Sequence, residues 1–336
     1  MRILLVQAVS TQDCRELVFP LGLARLSASL RGRHERQGID LNTNPFPWTD
    51  LIDTILEFKP QVIAISFRNL DPLANSLVSF VPQLKTLAAL IREHSAESTI
   101  ILGGAAFTLF PKRLMEEIPE VHLGFCGEAD TGFPTLIDNI SSPWEVPGVL
   151  WRNGSEIMGD GTIARCDCSM DEIPFPDWRL FSPDRYRNMN HYVSFMGVET
   201  KRGCPNQCRY CLYPKLQGSR IRLRSPEKIV DEMEALRRDF QTKLVHFTDP
   251  VVNQPAGHLR SICRELLKRR LDVGWTGFFR EDILTAEDIA LYQKAGLVTC
   301  YFSGDGTTDW ALKLLGKGFN LEVMMRGAQI AAESGV

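Results

Sequence analysis

The chain has 336 residues, enough for two domains with separate cores. Its 38 basic residues nearly balance 41 acidic ones, which excludes a nucleic-acid or anionic-membrane partner recognised through overall charge. Apolar runs are strand-sized, and Met1-Arg-Ile-Leu-Leu-Val-Gln7 reads as a strand rather than a signal peptide, so a cytoplasmic protein with no nucleic-acid or membrane partner is expected.

From the N-terminus, short apolar runs alternate with amphipathic ones. Strands are expected at Ile3–Val6, Ile39–Leu41, Val62–Ser66, Ile100–Leu102 and Val121–Phe125. Helices are expected near Leu21–Leu30, Thr49–Phe58, Leu73–Glu93, Lys112–Glu117 and Asp130–Ile140. This α/β alternation predicts a flavodoxin-like, Rossmann-type parallel sheet over residues 1–142, with ligands beyond the carboxyl ends of its strands. The loops at those ends are Ser66-Phe-Arg-Asn-Leu-Asp71, Gly103-Gly-Ala-Ala-Phe107 and Cys126-Gly-Glu-Ala-Asp130. Paired glycines let backbone approach a ligand, although Gly-Gly alone also makes a simple turn. Three such loops on one rim mark a candidate site. His34, His94 and His122 read as surface or packing residues.

Residues 143–190 differ in character. Val149-Leu-Trp-Arg-Asn-Gly154 followed by Ile157 predicts a hairpin, and Ile173-Pro-Phe-Pro-Asp-Trp-Arg-Leu-Phe181 an extended, packed linker. Cys166 and Cys168 are expected to be solvent-side thiols, with metal binding the lesser reading. From His191 a second series begins: a strand over His191–Glu199, helix Pro226–Asp239, strand Leu244–Phe247, helix His258–Lys268, strand Asp272–Gly277, helix Ala286–Ala295, strand Val298–Phe302 and helix Leu321–Glu333. Such βα repetition closes into a full or partial barrel over residues 191–336, with chemistry at the carboxyl ends of its strands.

Directly after the first of those strands stands Lys201-Arg-Gly-Cys-Pro-Asn-Gln-Cys-Arg-Tyr-Cys-Leu-Tyr-Pro214. Thiolates are soft ligands, and Cys204, Cys208 and Cys211 can wrap one compact iron–sulfur centre. Nine cysteines with this clustering fit a reducing compartment and a metal centre better than a disulfide scaffold. The alternatives are a zinc knuckle, which wants a fourth Cys or His nearby, and a disulfide pair. A [4Fe–4S] cube held by three sulfurs keeps one iron open.

The Cys-x3-Cys-x2-Cys pattern, with Tyr210 before its last cysteine, resembles the cluster loop of the radical S-adenosylmethionine (SAM) enzymes. That resemblance implies a [4Fe–4S] cluster whose open iron chelates SAM, and reduction by an external donor of the flavodoxin or ferredoxin type. It implies SAM contacts from Tyr210, from Thr248 and Asp249 after the second strand, from Arg280 after the third, and from Ser303 and Asp305 after the fourth. Asp305 would hold the ribose hydroxyls; its other reading is a turn residue. A barrel of this family has about six strands. Four are visible, so a fragment or a shortened relative is expected.

The order of a Rossmann-like domain, a linker and the cluster motif resembles the B12-dependent radical SAM enzymes, whose first domain binds cobalamin. The resemblance includes Phe19-Pro-Leu-Gly-Leu-Ala-Arg25. It implies cobalamin contacts from Leu21, Gly22, Ser66, Arg68, Asn69, Gly103, Gly104, Phe107, Gly127 and Glu128. No Asp-x-His-x-x-Gly supplies a lower histidine, so Arg68 is placed beneath cobalt, its other reading being a pair with Asp71 or a cap on the sheet. The implied activity is methyl transfer from SAM, through cobalamin, to an unactivated carbon or phosphorus of a small-molecule or peptide-derived substrate. A cyclase or rearrangement enzyme with the same cofactors, and a non-catalytic cluster- or cobalamin-binding sensor, are the alternatives. No general acid or base is assigned.

Overall fold

The computed structural model describes residues 1–10, 17–71, 78–187, 189–190 and 193–336. It divides into two compact units, Met1–Cys168 with Glu172–Asn190, and Ser169–Asp171 with His191–Val336.

In the first unit the chain runs β1 (Arg2–Gln7), α1 (Leu21–Ser29), β2 (Glu35–Asp40), α2 (Pro47–Phe58), β3 (Val62–Ser66), α3 (Val81–His94), β4 (Thr99–Gly103), α4 (Ala105–Leu109), α5 (Pro111–Glu117), β5 (Leu123–Phe125), α6 (Gly132–Asp138), β6 (Val149–Asn153) and β7 (Glu156–Met158). The sheet order is β2-β1-β3-β4-β5-β6-β7, parallel through β5 and antiparallel beyond. Ile3 to Val6 are fully buried, as a central parallel strand covered on both faces requires. The first part of the helix expected at Leu73–Glu93 lies outside the described residues; the helix itself starts at Val81.

Three local features depart from expectation. The hairpin of residues 149–158, expected to open a linker, adds two strands to the first sheet. The Pro-rich stretch is stapled to the same unit: Tyr186 donates its hydroxyl to buried Asp40 at 2.7 Å, and Ser27 donates to Asp177 at 2.9 Å. Cys166 and Cys168 are joined by a disulfide rather than standing as free thiols, with Cys166 buried.

Short helix α4 is hidden in the Gly-Gly loop. Gly104 takes φ +101°, and a Cβ there would lie 2.5 Å from the Phe67 carbonyl oxygen. Only glycine permits both the left-handed turn and this backbone approach.

In the second unit come β8 (Gly197–Val198), β9 (Lys201–Arg202), α7 (Tyr213–Gln217), β10 (Arg222–Leu223), α8 (Pro226–Phe240), β11 (Leu244–Phe247), α9 (Ala256–Arg269), β12 (Gly274–Phe279), α10 (Ala286–Lys294), β13 (Leu297–Phe302), α11 (Asp309–Leu315) and α12 (Leu321–Glu333). A parallel sheet in the order β13-β12-β11-β8 is accompanied by a small antiparallel ribbon of β9 and β10. The expected strand over His191–Glu199 shrinks to Gly197–Val198, and its first two residues lie outside the described set. Helix α8 begins as its sequence dictates: Ser225 accepts from Lys228 N–H at 3.3 Å, Pro226 follows, and Glu227 sits in the first turn. Side chains alternate across the sheet. Phe247, Trp275 and Phe279 pack with Tyr292 of α10, while His246, Thr276, Phe278 and Tyr301 share the opposite face.

Gly104→Ala should destabilise the first unit by about 3 kcal/mol, from a strained φ and a backbone clash. The check is a thermal melt without cobalamin; an unchanged midpoint would show that the glycine serves a ligand instead of the fold.

Candidate functional site

The cluster loop stands on a charged foot. Asp249 is buried, and its carboxylate accepts from Thr200 N–H at 2.9 Å, Lys201 N–H at 3.2 Å, the Lys201 ammonium at 3.0 Å and the Thr200 hydroxyl. Lys201 Nζ also donates to Val252 O at 2.9 Å. Beside it Arg202 pairs with Glu199 at 3.0 Å, and Arg224 donates to Glu199 O at 2.8 Å while pairing with buried Glu232 at 2.7 Å.

Above this foot Gly203 turns the chain at φ +92°, where a Cβ would lie 2.2 Å from Arg220 O. Cys204 N–H donates to Gly218 O at 3.0 Å, and Cys211 N–H to Cys208 O at 3.0 Å. Asn206 donates to Cys204 Sγ at 3.4 Å and to Gln254 Oε1 at 2.9 Å. Arg209 N–H donates to Leu315 O at 2.9 Å, docking the loop on the end of α11.

All three cysteines are free thiols, which removes the disulfide alternative. Burial raises the Cys211 pKa, the charges of Cys204 and Cys208 add to the rise, and Lys317 opposes it. The three sulfurs are thus within electrostatic reach of one another. Three thiols with no fourth Cys or His between Arg202 and Gly218 leave a zinc tetrahedron incomplete. A cluster gives each thiolate its own iron, so the donor set here fits the polynuclear centre.

The residues expected to touch SAM fall into two groups. Asp249 is committed to the foot and is too buried to reach a ligand, a correction to its expected place. Arg280 is likewise engaged: it forms a two-pronged pair with Asp282 at 2.8 Å, donates to Lys317 O at 3.0 Å and lies over Phe319. Tyr210, Thr248, Ser303 and Asp305 remain reachable. Tyr210 is half exposed and donates to Asp305 Oδ2. Thr248 is half-buried, and its hydroxyl has no partner among the described residues. Ser303 is exposed, and its carbonyl accepts from Lys317 at 2.6 Å.

The expected cobalamin contacts also separate. Leu21 and Gly22 stand at the start of α1, Gly22 with open space beside it. Ser66, Arg68, Asn69, Gly103 and Gly104 follow the carboxyl ends of β3 and β4. Arg68 is exposed and forms no ion pair with Asp71 or any other described residue. Phe107 is fully buried in the hydrophobic core. Gly127 bridges to Ala164, and Glu128 accepts from Cys166 N–H at 3.0 Å, so these two hold the segment after the hairpin. Those three serve the fold. Sequence reasoning missed Ser10 and Asn42 on the same rim, where Ser10 N–H donates to Asn42 Oδ1 at 2.8 Å and Asn69 donates to Ser10 O at 3.4 Å. Polar residues just past β1 and β2 were the available signal.

Residues 198–336 match the Radical SAM superfamily and residues 12–137 match the B12 binding domain, in the order that the two units present them. The chain belongs to the cobalamin-dependent radical SAM family. An uncharacterized methyltransferase of Pyrococcus horikoshii is 24% identical over 100% of this chain and 72% of its own length. The cytidylyl-2-hydroxyethylphosphonate methyltransferase of Streptomyces wedmorensis is 24% identical over 92% of this chain and 66% of its own. The radical SAM methyltransferase TsrM of Kitasatospora setae, solved with cobalamin and a [4Fe–4S] cluster bound, superposes with a TM-score of 0.84 at 21% identity. That match covers all of this chain and 68% of TsrM, and it is a likeness of fold. The chain thus spans about two thirds to three quarters of the length of these relatives.

Within this radical SAM unit His246 lines the sheet face opposite the aromatic core. Its Nδ1 shares a 2.8 Å hydrogen bond with Thr276 Oγ1, and Phe278 and Tyr301 stand edge-on at 5.6 and 5.9 Å. Burial pushes its pKa down to about 4, with Asp249 opposing. His258, whose Nε2 lies 2.7 Å from Arg224 O, is lowered by burial too.

Two outcomes follow from this geometry. Asp249→Asn leaves the Lys201 ammonium buried without its counter-charge and should cost roughly 3–5 kcal/mol; adding Lys201→Met should recover part of that loss in denaturant melts, and no recovery would refute the pairing. The neutral His246 contributes stability fully above its ordinary pKa of 6.5, and that contribution is lost as the pH falls toward about 4. Stability of the second unit should fall by about 3 kcal/mol across that window, and His246→Gln should flatten the fall.

Proposed function

We propose that this protein is a cobalamin-dependent radical SAM methyltransferase, transferring a methyl group from SAM by way of cobalamin to an unactivated carbon or phosphorus of a small molecule. The observation that carries the reading is the set of three free thiols, Cys204, Cys208 and Cys211, on a charge-locked foot with no fourth cysteine in their loop. The relatives named above support it: all three are methyltransferases by name, and TsrM has been solved with tryptophan substrate and a SAM analogue. When bound, the cluster, SAM and cobalamin supply the electron, the radical initiator and the methyl carrier.

The chain's own residues do the holding. Cys204, Cys208 and Cys211 ligate the cluster, and Asp249 with Lys201 sets the loop that carries them. Tyr210, Thr248, Ser303 and Asp305 are proposed to receive SAM, with Arg280 shaping the wall through Phe319 and Lys317. Leu21, Gly22, Ser66, Arg68, Asn69, Gly103 and Gly104 are proposed to receive cobalamin, Arg68 as a cation with no ion-pair partner among the described residues. An external one-electron donor of flavodoxin or ferredoxin type completes the partners. The clustered free thiols support a reducing, cytoplasmic location; no helix among the described residues is long and apolar enough to cross a membrane.

Anaerobic reconstitution should give about four irons and one cobalt per chain. Methyl-labelled SAM should then leave label in the corrinoid fraction, and replacing the three cysteines with alanine should abolish iron binding. Zinc in the loop, or iron retained by the triple variant, would overturn the assignment.

A further inference from the structure

Lys317 belongs to no motif of the sequence, yet three loops meet on it. It follows α11 in Gly316-Lys317-Gly318, and Gly316 packs so closely that a Cβ would lie 2.8 Å from Gln207 O of the cluster loop. The side chain is turned inward and is 7% exposed. Its ammonium donates to Ser303 O at 2.6 Å, to Asp305 Oδ2 at 2.7 Å and toward the Tyr210 hydroxyl at 3.4 Å. That is one acceptor for each of its three protons. The Phe319 and Tyr210 rings stand 5.7 and 5.9 Å away, and the Lys317 carbonyl accepts from Arg280 at 3.0 Å.

Asp305 is held in an unusual way. Its backbone takes φ +57°, a left-handed conformation that aspartate tolerates better than most residues. Both of its donors, Lys317 and Tyr210, bind the same oxygen, Oδ2. Its other oxygen, Oδ1, has no partner among the described residues, and the side chain is 31% exposed. A carboxylate anchored by one oxygen and open at the other presents that second oxygen alone to hydroxyl donors.

We infer that Lys317 is the positioning residue for SAM: it clamps Asp305 through Oδ2, so that Oδ1 is the oxygen presented to a ribose hydroxyl. This rests on the SAM-binding reading above and narrows it, since the carboxylate offers one oxygen to the ribose and not two. A loop staple with no part in binding would lower stability and leave SAM affinity alone.

The test measures SAM dissociation constants by equilibrium dialysis on the anaerobically reconstituted full chain. Wild type, Lys317→Met, Lys317→Arg, Asp305→Asn and the Lys317→Met/Asp305→Asn double variant are compared at matched iron content. Lys317→Met and Asp305→Asn should each weaken SAM roughly ten-fold, the worth of a charge-assisted hydrogen bond. The double variant should be little weaker than either, because both remove the same contact. Lys317→Arg, which keeps the charge, should recover part of the affinity. Wild-type affinity in Lys317→Met, or losses that add in the double variant, overturns the inference. If Lys317→Met loses its cluster, the other two single variants decide: Asp305→Asn at wild-type affinity overturns it, and a ten-fold loss there with Lys317→Arg near wild type supports it. Failure of the wild-type protein to bind SAM at all would sink the functional reading instead.

Discussion

The cluster loop is held from below by one carboxylate. Asp249 gathers two backbone N–H groups, a hydroxyl and an ammonium from Thr200 and Lys201, so the two residues that lead into the loop have no orientational freedom left. The arrangement is costly to assemble, because a buried ion pair must recover the hydration of both charges. Here every member has partners: the Lys201 ammonium has Val252 O besides Asp249, and the carboxylate has four donors. A fully satisfied buried network is rigid, and rigidity suits a loop that carries three thiols in eight residues.

A loop of thiols also carries an electrostatic problem of its own. Cys211 resists ionisation because it is buried and because Cys204 and Cys208 lie near it. Lys317 is the cation that offsets this at Cys211, and Arg280 feels the charge of Cys208. Both cations are tethered by neighbours, Lys317 through Asp305 and Arg280 through Asp282, so their charge is fixed in place beside the thiols. Positive charge held by hydrogen bonds cannot drift toward solvent, which keeps the field at the sulfurs constant.

Much of the fold is legible in the amino-acid sequence itself. Parallel strands buried on both faces leave mostly apolar runs, so the stretches Val62–Ser66 and Leu244–Phe247 coincide with β3 and β11 even though His246 interrupts the second. The amphipathic stretch Leu321–Glu333 likewise coincides with α12, and the three cysteines announce themselves by spacing alone. What is not legible depends on partners distant in sequence. Asp249 looks like a loop carboxylate facing a ligand until Lys201, 48 positions away, is seen against it. Glu128 and Gly127 sit in a loop at the right end of a strand, but Ala164 and Cys166 occupy them from the other side. Phe107 lies in α4, a helix too short to show periodicity, and its ring turns into the core. Cys166 and Cys168 look like solvent-side thiols because a Cys-x-Cys spacing does not report burial, whereas the fold buries Cys166 and joins the two sulfurs.

The same contrast separates strong from weak claims about ligands here. A residue already engaged by the fold has less to offer a cofactor, as Asp249, Arg280, Glu128 and Phe107 show. A polar group that is positioned but incompletely used is the better candidate. Arg68, the Thr248 hydroxyl and Asp305 Oδ1 meet that description among the described residues. All three follow carboxyl ends of parallel strands, Arg68 after β3, Thr248 after β11 and Asp305 after β13. Those positions are where parallel α/β sheets place their ligands.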